Sequence, residues 1–166
     1  MRIFTRPLWF IPLLVLVAPN VLGQVQVSGG GVCAKPDPAY SIAATDRAGH
    51  VFSLGKYECT WSKPFEIAGT KSKGGPDIIF VELQGNKGSW HEFYVDTTDN
   101  GDHGYYRLHG TATFKDGTLQ ELRGRWTLEG GTGKLKGIRG SGTCIGKGEA
   151  DGGVSFDCKG QYQAPK

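Results

Sequence analysis

The stretch Leu122–Cys144, LRGRWTLEGGTGKLKGIRGSGTC, constrains the fold more than any other part of the chain. Alternating large and small side chains run to Gly130, break into a glycine-and-lysine loop, and resume before Cys144. A period of two on both sides of a glycine-rich break is the pattern of strand, corner, strand. The 27 glycines are spread along the chain rather than gathered in one block, with short β-branched and aromatic runs between them. That distribution favours an all-β barrel or sandwich and leaves no segment with helical periodicity after the N-terminus. Residues 24–40, with Gly29-Gly30-Gly31 and two prolines, read as an irregular segment, and residues 41–166 as a single β domain.

Turn chemistry and hydrophobic faces can be checked against each other. Asn100-Gly101 is the strongest two-residue hairpin signal in the chain. Centring a turn there sets Val95 opposite Tyr106, Phe93 opposite Leu108 and His91 opposite Gly110 on an apolar face. Glu92–His109 and Tyr94–Arg107 then fall on a polar one. Lys115-Asp116-Gly117 reads as a three-residue loop, which pairs Gly110 with Leu122, Leu108 with Gly124 and Tyr106 with Trp126. Its outer face carries Thr111–Glu121, His109–Arg123 and Arg107–Arg125. Further strands are expected at Tyr57–Ser62, Ile78–Gln84 and Gly88–Thr97, with a weaker one around Ile42–Ser53. The total of seven or eight suffices to close a small barrel.

Ala150-Asp151-Gly152 forms the same kind of loop and brings Cys144 directly opposite Cys158. Opposed residues of an antiparallel pair lie roughly 4.5–5.5 Å apart, within the span a disulfide bridges. A Cys144–Cys158 bond is therefore expected. Cys33–Cys59 follows by elimination, with Cys33 meeting the last strand as the alternative. No pair has the short spacing of zinc ligands.

Residues 1–23 have the form of a secretory leader: Arg2 and Arg6, an apolar run over Leu8–Ala18, then Val21-Leu22-Gly23 before a cut that would start the mature chain near Gln24. Eleven apolar residues fall short of the roughly 20 a membrane span requires, so no membrane span is expected. Without Arg2 and Arg6, 17 of the 19 basic residues remain against 16 acidic ones. A near-neutral domain is poorly suited to tracking a phosphate backbone, so nucleic acid is not an expected partner. Four cysteines in an exported chain point to two disulfides, and to the periplasm or the extracellular space.

The segment Trp126-Thr127-Leu128-Glu129-Gly130-Gly131-Thr132-Gly133-Lys134-Leu135-Lys136-Gly137-Ile138-Arg139-Gly140 resembles one in a group of exported bacterial proteins whose function is not established. Cys59-Thr60-Trp61-Ser62-Lys63-Pro64-Phe65 and the closing Gly160-Gln161-Tyr162 are similar to theirs as well. More distantly, the GGTGxxxGxxGxG element resembles that of allene oxide cyclase and dirigent-type barrels. The resemblance implies a closed antiparallel barrel of about eight strands around a lumen, here stapled by disulfides. No residue of the cyclase catalytic set carries over, and shared architecture is weak warrant for shared activity.

Apparent motifs are better explained structurally. Gly131-Thr132-Gly133-Lys134 lacks both the first glycine and the Ser or Thr of a phosphate loop, so it reads as a corner. Asp96–Gly101 imitates a calcium loop, but Arg107 stands where a bidentate glutamate would be needed. His103 and His109 lie six residues apart on one strand, roughly 20 Å, too far to share an ion. Glu92, His109 and Arg123 form an outer charge row across three strands. No metal or cofactor is implied, and no nucleophile–base set is spelled out.

The lumen-lining set expected from the sequence is Glu82, His91, Tyr106 and Trp126. The leading functional expectation is a barrel that binds a small apolar or amphipathic ligand in its lumen. The alternatives are a barrel-type isomerase or cyclase acting on a lipid-like substrate, with Glu82 or His91 as its polar group, and a ligand-free interaction module acting through Lys134, Lys136 and Arg139. Oligomeric state is not legible.

Overall fold

The computed structural model describes residues 23–164. Residues 1–22, which carry nearly all of the leader reading, lie outside the described residues. Ten strands follow one another: β1 (Val25–Cys33), β2 (Ala39–Ala43), β3 (His50–Lys63), β4 (Glu66–Ile67) and β5 (Thr70–Gln84) form the first half. The second half contains β6 (Lys87–Thr98), β7 (His103–Lys115), β8 (Thr118–Gly131), β9 (Arg139–Gly148) and β10 (Val154–Gln163), with one 3₁₀ turn at Gly133–Leu135 between β8 and β9. Eight of them close an antiparallel barrel in the order β3-β1-β10-β9-β8-β7-β6-β5, and pairing of β5 with β3 completes the ring. Short β2 adds to the free edge of β3, and β4 folds back on β5. Closure leaves the eight barrel strands without open edges. Among the described residues no helix is long and apolar enough to cross a membrane.

Residues 24–40 are not a separate irregular segment. β1 is a full barrel strand, paired with β10 along its length and with the end of β3. Its glycines are there for crowding, since a Cβ on Gly29 would meet the rings of Phe65 and Trp61 at 3.0 Å, and one on Gly31 would meet Phe156 at 2.9 Å. A strand lying beneath large inward rings has to be bare, and bare strands resemble loops in sequence.

The three hairpin expectations fare differently. Cys144–Cys158, Gly146–Phe156 and Gly148–Val154 pair as expected, across a three-residue loop. Both disulfides are formed, Cys144–Cys158 and Cys33–Cys59, each between directly opposed residues. In the β7–β8 hairpin the faces are right but the partners shift by two. Tyr106 faces Leu128, Leu108 faces Trp126 and Gly110 faces Gly124. Asp116 and Gly117 both have positive φ, 51° and 76°, as a two-residue type I′ turn requires. A bulge near Gln120 then restores the parity that the shorter turn would have lost.

In the β6–β7 hairpin the register is off by one, which exchanges the faces. Asp99-Asn100-Gly101 is a three-residue loop closed by Thr98 N–H donating to Asp102 O, with Gly101 left-handed at φ 85°. Tyr94 therefore faces Tyr106, Phe93 faces Arg107 and His91 faces His109. Trp90, Glu92, Tyr94 and Asp96 point into the barrel, and His91, Phe93 and Val95 point out. The same polarity holds in β5, where Asp77 and Ile79 face in while Ile78 and Phe80 are about 40% exposed. On this side of the barrel the outside is greasy and the inside is acidic.

The candidate functional site is an acidic, aromatic lumen

The lumen is walled by rings. Trp61 meets Phe65 at 4.6 Å and Phe156 edge-on at 5.0 Å between centroids, and Trp126 meets Phe65 at 5.5 Å and Tyr106 at 6.0 Å. One end is plugged by Phe65 and Ile67 from the β3–β5 connection and by Leu135 and Ile138 around the 3₁₀ turn, all buried. Ile79, Trp90 and Ala112 form a second buried cluster. Between the two clusters lies a cavity of about 70 Å³ whose lining includes Tyr57, Asp77, Glu92, Tyr94 and the sulfurs of both disulfides. This is well above the roughly 10–15 Å³ needed to admit a single water, and leaves room for water or one small guest.

Three carboxyl groups face into the barrel, and two of them, Asp77 and Glu92, line the cavity. Asp96 is fully buried, and its Oδ1 accepts from the Tyr94 hydroxyl at 3.0 Å, the Gly74 amide at 3.1 Å and the Trp61 indole at 3.2 Å. The Trp61 indole also donates to the Tyr94 hydroxyl at 2.9 Å. Burial raises Asp96 to about 6, opposed by hydrogen bonds from the Ser72 and Tyr94 hydroxyls. Asp77 is 2% exposed, and burial raises it to about 8, opposed by its hydrogen bond with Glu92. Burial likewise pushes Glu92 well above its ordinary range, and the neighbouring Asp77 adds to that push. Burial and the Asp96 charge push Tyr94 and Tyr106 up as well. Among the described residues, three buried side-chain polar atoms have no hydrogen-bond partner: Asp77 Oδ1, Asp96 Oδ2 and the Tyr106 hydroxyl. Such orphan groups are costly unless something else satisfies them.

Two of the four sequence-derived lumen residues are there. Tyr106 and Trp126 are buried and line the cavity. Glu82 lies on the outer face, where its carboxylate pairs with His50 Nε2 at 3.1 Å and its side chain is 45% exposed. His91 is exposed on the outer face beside His109, with ring centroids 6.4 Å apart. His91 is turned outward by the one-residue register change of the β6–β7 hairpin, and Glu82 shares the outer face of β5 with Ile78 and Phe80. The outer charge row loses Glu92 through the same register change. His109 and Arg123 do face outward, but His109 pairs with Arg125, and Arg123 is held by Glu121 at 2.7 Å.

Asp77, Glu92 and Asp96 went unrecognised in the sequence. A signal for two of them exists in β6, where Trp90, Glu92, Tyr94 and Asp96 recur at i, i+2. Gly101, placed like Gly152 at the end of a three-residue loop, would have selected that face. Asp77 Oδ2 also lies 3.9 Å from Cys59 Sγ. The grouping of Cys33, Cys59 and Asp77 does not amount to a metal site, because both sulfurs are consumed in a disulfide. In the Gly130–Gly142 corner, Lys134 and Lys136 are exposed while Leu135 and Ile138 point inward as the plug, and Arg139 donates to the Glu129 carbonyl. No protein-family model matches the chain, and no curated protein matches it significantly.

Proposed function

We propose that this protein is a binding barrel that holds a small ligand in its lumen, with the rings of Tyr57, Trp61, Tyr106 and Trp126 as walls and Asp77 and Glu92 as polar anchors. The observation that carries this reading is the coincidence of an aromatic cavity with an orphaned, deeply buried carboxyl oxygen, Asp77 Oδ1, on its wall. Apolar pockets with a few convergent polar groups of perturbed pKa are the usual form of a ligand site. The likeness of Trp126–Gly140 to lumen-bearing barrels supports the same conclusion. A cavity of about 70 Å³ favours a guest of few heavy atoms over a long lipid. Two disulfides and the leader-like N-terminus support export to the periplasm or the extracellular space.

Titration with a panel of small amphipathic compounds should change the emission of Trp61, Trp90 and Trp126, and native mass spectrometry should retain one of them at unit stoichiometry. Gly146→Leu and Leu122→Phe, both of which add bulk on the cavity wall, should abolish the signal while circular dichroism stays barrel-like. A panel that neither shifts the emission nor is retained would remove this reading.

The presence of two neighbouring carboxyls, Asp77 and Glu92, on one cavity wall favours a second reading. Asp77, raised to about 8, is suited to proton transfer near neutral pH. An isomerase using Asp77 and Glu92 as acid and base would show turnover abolished by Asp77→Asn. Turnover unchanged in that variant would exclude it.

A further inference from the structure

Resting on the lumen-binding reading, we infer that the guest is a small organic cation, an alkylammonium or quaternary ammonium group seated against Asp77 and Glu92 and enclosed by aromatic rings. The lining contains two carboxyl groups and no lysine, arginine or histidine. β3 contributes Tyr57, β5 Asp77, β6 Glu92 and Tyr94, and β7 Tyr106, while the lining residues of β8, β9, β10 and β1 bring no titratable side chain, their cysteines being held in disulfides. Asp96 stands just behind Tyr94, and its one free oxygen is also acidic. The titratable groups of this interior are thus all acids, and among the described residues none that lines the cavity supplies a countercharge.

A buried carboxylate without a partner is strongly disfavoured, and a bound cation supplies that partner. The walls suit the same guest. Ring faces are electron-rich, and a cation within roughly 6 Å of a centroid is attracted to them, most strongly by Trp. Trp61, Trp126, Tyr57, Tyr94 and Tyr106 line the same cavity as the two carboxyls. A neutral guest would gain the ring contacts but would leave the acids in their protonated form. Only a charged one draws on both.

Affinity should then depend on pH, because a cation binds the ionised carboxyl. Burial raises Asp77 to about 8, so cation binding at pH 7 should release a proton. The experiment compares choline with its uncharged carbon isostere 3,3-dimethylbutan-1-ol by calorimetry at pH 6 and pH 9. Choline is expected to bind at least tenfold more tightly than the isostere at pH 9, and to weaken several-fold at pH 6. At pH 7 its binding enthalpy should vary with the ionisation enthalpy of the buffer. The Asp77→Asn, Glu92→Gln double variant should lose the preference for charge; should it fail to fold, the pH profile of the native protein decides. Equal affinity for the two probes, or a preference that does not change with pH, overturns the cation inference and leaves the lumen reading standing. Binding of neither probe also overturns it, and the amphipathic panel then decides whether the lumen reading falls too.

Discussion

Four glycines, Gly110, Gly124, Gly142 and Gly160, determine where two tryptophans can lie. Gly110 sits opposite Gly124 and Gly142 opposite Gly160, so each pair leaves a bare strip across two strands. A Cβ on Gly124 would collide with the Trp90 ring and reach the His109 carbonyl at 2.6 Å. One on Gly160 would strike the Trp126 ring and the Ser141 carbonyl. Backbone cannot yield as a flexible side chain does, so Gly124→Ala and Gly160→Ala are each expected to destabilise the barrel by about 1–3 kcal/mol. Chemical denaturation followed by tryptophan emission measures this directly. A midpoint unchanged in both variants would mean that the indoles do not rest on these strips. That inner-face glycines relieve bulky neighbours is readable from the alternation of large and small residues. Which tryptophan rests on which glycine is not, because it depends on a cross-strand register that turns and bulges set.

At the scale of the element, legibility depended on loop length. The β9–β10 hairpin was readable because two cysteines test its register independently of the turn. The β7–β8 hairpin had no such check, and its shorter turn and bulge cancelled in their effect on the faces. The β6–β7 hairpin lacked any compensation, so one residue more in the loop exchanged inside for outside. Hydrophobicity could not correct the error, because Phe93 and Ile78 lie outside while Glu92 and Asp77 lie inside. The acidic site escaped notice for the reason that makes it a site: it violates the rule by which faces are assigned. The plug elements yield a prediction of their own. Phe65 and Leu135 are almost fully buried at the closed end, and Phe65 borders the cavity. Leu135→Ala should cost about 2–5 kcal/mol and Phe65→Ala about 3–5 kcal/mol. Phe65→Ala should also extend the cavity toward the plug, so that guests too bulky for the native lumen are retained in native mass spectrometry. Equal size limits in the variant and the native protein would show that the plug does not bound the lumen.

For the molecule as a whole, an acidic interior reverses the usual response of stability to pH. Asp77 and Asp96 are raised to about 8 and about 6 from an ordinary value of 3.8, and Glu92 is raised too. Between pH 4 and those higher values the folded chain holds protons that the unfolded chain has released. Stability therefore falls as pH rises through that window and levels off above the folded-state pKa. Asp46, Asp102 and Glu121 are lowered by their partners and act in the opposite sense, but Asp46 is exposed, Asp102 and Glu121 are half-buried at the surface, and solvent screening keeps their effect small. The net expectation is a melting temperature several degrees lower at pH 8.5 than at pH 5. Asp77→Asn removes one of the retained protons while keeping the shape of the neutral acid. The variant should melt above the native protein at pH 8.5 and show a shallower slope between pH 5 and 8, whereas a flat native profile, or one rising toward pH 8, would mean that these carboxyls are solvated rather than enclosed. A saturating cationic guest provides the countercharge that the empty barrel lacks, so it should restore most of the stability lost at pH 8.5 and little of it at pH 5. A neutral guest should raise both temperatures alike, which links the stability of the empty barrel to the identity of what fills it.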